Sequence, residues 1–137
     1  MLDTSVVVAG LRSRLGAANA LLRSVASGHL RMLATPPLFL EYEEVLKRPE
    51  HRLAHRLASG EIDALLAELA ALIEPVDIHF QWRPQGCDPS DEMVLEAAVN
   101  GRADTLVTFN IAHFAAATER FNIAVLSPAE ALRRMRT

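Results

Sequence analysis

The fold is decided by residues 103–128, which read ADTLVTFNIAHFAAATERFNIAVLSP. Residues 105–108 form a short apolar run that favours a strand, and residues 111–117 have the spacing of a helix. Residues 123–126 favour a second strand, and Ser127 before a proline is typical of a helix start, because serine caps and proline fits the first turn. A strand, a helix, a strand and a helix in succession predict an α/β fold with a mostly parallel sheet.

The rest of the chain continues this alternation toward its beginning. Short apolar or β-branched runs predict strands over residues 6–8, 31–35 and 76–80. The spacing of apolar residues predicts helices over residues 17–27, 36–48, 50–58, 61–74 and 88–100. In an open parallel sheet, ligands bind beyond the carboxyl ends of the strands. The residues after Thr35, those after Thr108 and those near the start of the chain are therefore the first candidates for a site.

Composition limits the class of protein. The 137 residues are 50% hydrophobic and 23% charged, which suits one folded domain and excludes a fully disordered chain. The formal net charge of −3 neither requires nor excludes a nucleic-acid partner, because a local basic patch can bind phosphate on an acidic protein. The lone Cys87 excludes an intramolecular disulfide and a cysteine-cluster metal site. No stretch resembles a membrane span or a secretion signal, so we expect a soluble, cytoplasmic protein.

One carboxylate interrupts the apolar side of a predicted helix. Leu38 lies three residues before Glu41 and Val45 lies four residues after it, which places Glu41 on the apolar stripe. A carboxylate on that stripe must be hydrogen-bonded, paired or bound to a metal, because burying an isolated charge is costly. The alternative is a glutamate at the helix edge that reaches solvent.

A second carboxylate lies at the start of the helix predicted over residues 88–100. Asp88 occupies the position of an N-cap, and capping alone would explain it. Asp91 shares a helix face with the apolar residues Val94 and Leu95. Asp91 is therefore the better functional candidate, and stabilisation of the helix dipole is its alternative explanation.

Two further polar residues lie beside predicted strands. Asp3 precedes a run of valines, where a turn or a cap is the alternative explanation. Asn110 follows residues 105–108, where its amide oxygen is able to ligate a metal or to cap the next helix. Convergence of Asp3, Glu41 and Asp91 on divalent metal ions would explain several inward carboxylates together, because Mg²⁺ or Mn²⁺ removes their mutual repulsion and accepts hard oxygen ligands.

Four segments together resemble PIN-domain proteins, in particular the toxins of bacterial toxin–antitoxin modules. They are LDTS at 2–5, EYEEVL at 41–46, DPSDE at 88–92 and ADTLVTFN at 103–110. The resemblance spans nearly the whole chain, in order and at suitable spacings. It implies a single domain with a three-layer α/β/α fold around a central, mostly parallel sheet. It also implies a Mg²⁺- or Mn²⁺-dependent endoribonuclease with an RNA substrate, a cognate antitoxin protein and the homodimer common among relatives.

The resemblance also implies roles for individual residues. Asp3, Glu41 and Asp91 would hold the metal ions, and Asn110 would add a neutral oxygen ligand. Supporting roles fall on four further residues. Asp88 would be a helper acid, and the hydroxyls of Thr4 or Ser5 and of Thr108 would orient carboxylates or water. Two cations that follow the first segment are candidates for contacts with RNA phosphates, although solvated arginines are commonplace. They are Arg12 and Arg14.

Two features depart from the family pattern. Many relatives carry an aspartate at the position of Asn110, and an amide brings no negative charge, so we expect weaker metal binding or a site that relies on three carboxylates. Only two residues precede Asp3, so either the first strand is short or the true start lies upstream. The family pattern also makes residues 6–11 the start of a helix, against their β propensity, and on this point we follow the family pattern.

Two other functions remain open from the sequence. The first is a non-catalytic PIN fold that binds RNA or protein, and Asn110 is the observation that favours it. The second is a structure-specific DNA nuclease of similar fold. The short chain argues against the DNA nuclease, because it leaves no room for an insertion that threads DNA.

Overall fold

A computed structural model describes residues 1–79 and 89–136. Within these residues the chain forms eight helices and four short strands. The helices are α1 (Thr4–Arg12), α2 (Ala17–Ala26), α3 (Pro36–Leu46), α4 (Pro49–His55), α5 (Ser59–Leu72), α6 (Pro89–Asn100), α7 (Ile111–Phe121) and α8 (Pro128–Met135). The strands are β1 (Leu33–Ala34), β2 (Glu74–Pro75), β3 (Thr105–Val107) and β4 (Ala124–Leu126).

The strand that positions the candidate site is β3. It pairs in parallel with β4 on one side, and on the other side the first residues of the chain run parallel to it through a bridge between Leu2 and Val107. The Asp3 N–H donates to the Val107 carbonyl at 2.9 Å, and the Val107 N–H donates to the Met1 carbonyl at 3.0 Å. Asp3 therefore lies at the carboxyl end of this small sheet, where the sequence places a candidate site.

The other two strands form a separate parallel pair. Leu33 of β1 lies opposite Glu74 of β2, and the Val76 N–H extends the pairing by donating to the Ala34 carbonyl at 2.9 Å. The α/β class and the parallel strand direction are thus confirmed. In the described part of the chain the strands form two two-stranded sheets, so the continuous central sheet of a three-layer fold stays a prediction.

The hydrophobic core lies between the helices and these strands. Three consecutive valines of α1 are buried, and so are Val94 and Leu95 of α6. The largest side chains without solvent contact are Tyr42 of α3 and Phe114 of α7. Helices α1, α3, α6 and α7 therefore all pack their inner faces into one core, which fixes the elements that carry the candidate site residues.

Two strand predictions are wrong. Residues 6–8 belong to helix α1, as the family pattern predicts, because the cost of β-branched residues in a helix is small and burial of the three valines outweighs it. The strand predicted over residues 76–80 lies earlier, at Glu74–Pro75. Strand β1 has only two residues for β2 to pair with, and residues 77–79 are accordingly not in a strand. Residue 80 lies outside the described residues.

Local capping explains where two of the helices begin. The Thr35 hydroxyl accepts from the Leu38 N–H at 3.4 Å, and a proline occupies the first turn of α3. Ser127 and Glu130 form a reciprocal capping box at the start of α8, as the serine–proline signal predicts. In the described residues, no helix has the length and apolar character needed to cross a membrane.

Candidate active site

Asp3 is the buried acid at the centre of the site. It lies between the end of the first extended segment and the first turn of α1, and only 6% of its surface is exposed. Two hydroxyl groups donate to the same carboxylate oxygen, Oδ2. The Ser5 Oγ lies at 3.0 Å and the Thr108 Oγ1 at 2.8 Å. The carboxylate is therefore held in one orientation from both sides.

Thr108 links this acid to the loop that follows β3. Its side chain is fully buried, and its Oγ1 accepts from the Asn110 N–H at 3.0 Å while it donates to Asp3. Its own N–H donates to the Leu126 carbonyl at 2.9 Å, which fixes the residue at the end of the sheet. The Asn110 side chain is exposed beside this point. The position of Asn110 at the strand end is as predicted, and its role as a ligand stays a prediction.

Glu41 is brought to the same end of the fold by helix α3. The Thr4 Oγ1 donates to its Oε2 at 2.7 Å, and Thr4 is the residue directly after Asp3. Leu38 on the same stripe is buried, whereas Glu41 and Val45 are half-buried. Glu41 on the apolar stripe is therefore hydrogen-bonded to a hydroxyl group, and its side chain also reaches solvent.

Each of the two acids keeps one oxygen outside these hydrogen bonds. The described residues give Asp3 Oδ1 and Glu41 Oε1 no hydrogen-bond partner, and no basic side chain within ion-pair distance. Every fully buried side-chain oxygen in the described residues has a hydrogen-bond partner. Since Asp3 Oδ1 and Glu41 Oε1 have none, both oxygens are in contact with solvent. Two carboxylates that are held by consecutive parts of the chain, each with an oxygen that no described residue occupies, are donors of the type that binds hard divalent cations.

A family comparison covers all of these residues. The sequence matches the PIN domain family over residues 1–112. The chain belongs to the PIN domain family. No curated protein and no solved structure matches it significantly. PIN domains are generally nucleases that use divalent metal ions, and the matched range of this PIN domain includes Asp3, Glu41, Asp91 and Asn110.

Tyr42 is a residue of this PIN domain that sequence reasoning missed. Its buried hydroxyl donates to the Leu2 carbonyl at 2.5 Å and so ties α3 to the segment that ends in Asp3. Burial raises the pKa of the Tyr42 phenol, and the negative charges of Asp3 and Glu41 raise it further. Its place beside Glu41 in the second segment was visible in the sequence, but nothing there indicated a partner 40 residues away.

The third predicted acid has a different partner. Asp91 lies in the first turn of α6 with 13% of its side chain exposed, and its Oδ2 is 3.4 Å from Nδ1 of His113 on α7. This contact is an ion pair when His113 is protonated. Among residues 1–79 and 89–136, no three histidine, cysteine, aspartate or glutamate side chains form a group able to hold a metal.

The structure thus brings Glu41 to Thr4, the residue next to Asp3, and links Asp91 to His113. The metal-ligand roles of the three acids and of Asn110 stay predictions, as do the supporting roles of Thr4, Ser5 and Thr108. Asp88 lies outside the described residues. Arg12 ends α1 and Arg14 follows it, and both are exposed, but their contact with RNA also stays a prediction.

Proposed function

We propose that this PIN domain is a Mg²⁺- or Mn²⁺-dependent endoribonuclease that acts in the cytoplasm as the toxin of a toxin–antitoxin pair. The observation that carries the proposal is that Asp3 lies at the carboxyl end of the sheet and that Glu41 is hydrogen-bonded to Thr4, the next residue in the chain. Hydroxyl groups fix one oxygen of each acid and leave the other accessible. The nuclease character of PIN domains supports the same reading.

The proposed mechanism assigns distinct tasks to the residues. Asp3 and Glu41 would hold the metal, and Asp91 and the Asn110 amide would have to approach them to serve as further ligands. When bound, the metal ion neutralises negative charge on the phosphate and lowers the pKa of water. The hydroxyls of Ser5 and Thr108 keep Asp3 oriented, and the Thr4 hydroxyl keeps Glu41 oriented, so that neither acid must be ordered when RNA binds. In-line attack by a water oxygen on phosphorus would form one P–O bond and break the P–O bond to the leaving ribose oxygen, with the proton that water loses balanced by the proton that this oxygen gains.

The central test is cleavage of single-stranded RNA with and without a metal chelator. We expect cleavage that the chelator abolishes, and a loss of at least about 100-fold in Asp3→Asn, which removes one negative charge from the donor set. Asp104→Asn is the matched control, because Asp104 is exposed and precedes the opposite end of β3. A parallel assay with DNA separates a ribonuclease from a DNA nuclease. Activity that survives both the chelator and Asp3→Asn would overturn the mechanism.

The toxin role has its own test. We expect expression in a bacterium to arrest growth, and Asp3→Asn to relieve the arrest at equal protein level. Co-expression of a small neighbouring gene that encodes a DNA-binding antitoxin should also relieve it. Normal growth at high levels of an RNA-cleaving wild-type protein would contradict the toxin role and leave the nuclease intact.

A non-catalytic RNA- or protein-binding PIN domain is the second candidate function. Asn110 favours it, because an exposed amide stands where many relatives carry an acid. Calorimetric titration separates the two candidates. Binding of Mg²⁺ or Mn²⁺ at millimolar concentrations or below supports the nuclease, whereas the absence of binding supports the non-catalytic domain.

A further inference from the structure

Phe109 is an exposed aromatic side chain at the candidate active site. Its side chain is 54% exposed, although it follows a strand whose neighbouring residues Val107 and Thr108 are buried. Among the aromatic residues that the structure describes, Tyr42 and Phe114 are fully buried and the others are half-buried. Phe109 is therefore the most exposed of the phenylalanine and tyrosine residues that the structure describes.

The backbone on both sides of Phe109 is fixed. Thr108 is held by the Leu126 carbonyl and by Asp3, and the Asn110 N–H folds back onto the Thr108 hydroxyl at 3.0 Å. This hydrogen bond closes a tight turn with Phe109 at its tip. The ring is thus carried by a rigid turn that is hydrogen-bonded directly to the buried acid of the site.

An aromatic ring at this place complements the chemistry of the acids. The carboxylates of Asp3 and Glu41 attract cations and, through them, a phosphate group, but they offer nothing to the rest of a nucleotide. A flat apolar ring offers a stacking surface to a nucleobase, since every base has a π-face. Phe109 directly follows Thr108, whose hydroxyl donates to Asp3, so the ring and the acid together match the two chemically different parts of one nucleotide.

We propose that Phe109 forms a stacking subsite for an unpaired nucleobase next to the phosphate at which the acids act. This inference rests on the proposed nuclease function and specifies its substrate as single-stranded RNA. A base inside a duplex already stacks on its neighbours, so it cannot lie on the ring without first leaving the helix. Stacking alone discriminates weakly among the four bases, so the subsite selects strandedness rather than sequence.

The test uses short single-stranded RNA that carries 2-aminopurine, whose fluorescence is quenched by stacking. Wild-type protein should quench the fluorescence in the first phase after mixing, before products accumulate. Phe109→Ala should abolish the quenching and weaken RNA binding by about 5- to 150-fold. Phe109→Trp should restore both, because it keeps a flat aromatic surface. When the same RNA is annealed to its complement, neither wild type nor the Phe109 variants should quench its fluorescence further.

Leu53→Ala is the matched control, since Leu53 on α4 is 82% exposed and equally apolar. We expect it to bind and quench as wild type does. Equal quenching by wild type and Phe109→Ala, an equal loss in Leu53→Ala, or a change in oligomeric state of Phe109→Ala without a change in RNA binding would each overturn the subsite. If wild type cleaves RNA in that case, the proposed function stands. If wild type neither binds nor cleaves RNA, both fall.

Discussion

At the scale of single residues, Thr108 shows how one hydroxyl group organises the site. A hydroxyl has one proton, and the Asn110 N–H can only donate to it, so the Thr108 proton must point to Asp3. The direction of the hydrogen bonds from Asn110 through Thr108 to Asp3 is therefore fixed. The Thr108 Oγ1 atom therefore both orients the Asp3 carboxylate and closes the turn at Phe109.

Thr108→Val tests this arrangement, because valine has nearly the shape of threonine without its hydroxyl. We expect a stability loss of about 1–3 kcal/mol, since a buried carboxylate and a backbone N–H both lose a partner. Nuclease activity should fall about 10- to 100-fold, as is typical when the residue that orients a metal ligand is changed. Urea denaturation and RNA cleavage measure the two effects. Thr105→Val on β3 is the control, and equal effects of the two variants would contradict the special role of Thr108.

The sequence predicted some of these residues for a physical reason. Glu41 stands out because a carboxylate on an apolar stripe needs a partner, whereas Asp3 is singled out by the resemblance to PIN-domain proteins. Tyr42 does not stand out, because a tyrosine on a helix is ordinary and its acceptor is a backbone carbonyl in another part of the chain. The pairing of Asp91 with His113 joins two helices in the same way, through a contact that only the folded chain defines.

At the scale of elements, the Tyr42 hydrogen bond joins α3 to the extended segment before α1. The pKa of Tyr42 is raised in the folded state, so below about pH 10 the folded and unfolded chains both keep the phenol proton. Above that pH the unfolded chain loses the proton and the folded chain keeps it. Stability is therefore fully present below about pH 10 and should fall above it, by about 1.4 kcal/mol per pH unit for this group.

This prediction can be measured cleanly because the chain has a single tyrosine. The phenolate absorbance should rise only where the protein unfolds, and not at the ordinary pKa of the side chain. Tyr42→Phe should lower stability at neutral pH by about 1 kcal/mol and should remove this part of the alkaline loss. Phenolate absorbance near pH 10 in a protein that remains folded would contradict the prediction.

The packing of α1 against α2 also depends on one residue. A methyl group added at Gly10 would overlap Leu22 Cδ1 and would lie 3.2 Å from Leu22 Cγ and 3.3 Å from the Ala18 carbonyl oxygen. Gly10→Ala should therefore destabilise the protein by about 1–3 kcal/mol, because the two helices must move apart. Gly60→Ala in α5 is the control, since its added methyl group meets no atom within 4 Å. It should stabilise by about 0.4–1 kcal/mol. Urea denaturation measures both, and an equal sign would contradict the packing argument.

At the scale of the whole molecule, periodicity predicted the α/β class and the parallel strands, and it placed most helices to within a few residues. It could not decide whether the strands join into one sheet. One continuous sheet would require residues 1–3 to pair with strand β1. These two segments are about 30 positions apart in the sequence, and their distance in space is set by how the helices pack. Sequence pattern also assigned residues 6–8 to a strand, because β propensity takes no account of the free energy gained when three valines are buried on α1.

Metal binding should be visible as a stabilisation of the whole fold. A ligand present at ten times its Kd stabilises the folded state by about 1.4 kcal/mol, which is about 4–7 °C in Tm for a domain of this size. We expect Mn²⁺ or Mg²⁺ to raise the Tm of wild type by that amount, and Asp3→Asn and Glu41→Gln to lose the shift. Glu44→Gln should keep it, because Glu44 pairs with Arg48 on the outer face of α3. A shift that persists in Asp3→Asn would show that the metal binds elsewhere.

Asp3 and Glu41 each keep one oxygen that accepts no hydrogen bond from the described residues, and this has a consequence for how metal and nucleic acid bind together. Two monodentate ligands leave most of an ion's coordination sphere to water and to phosphate oxygens. RNA would then complete the sphere, so each would bind more tightly in the presence of the other, and by thermodynamic linkage the factor would be the same in both directions. The protein would hold its metal firmly only when an RNA strand is there to be cut.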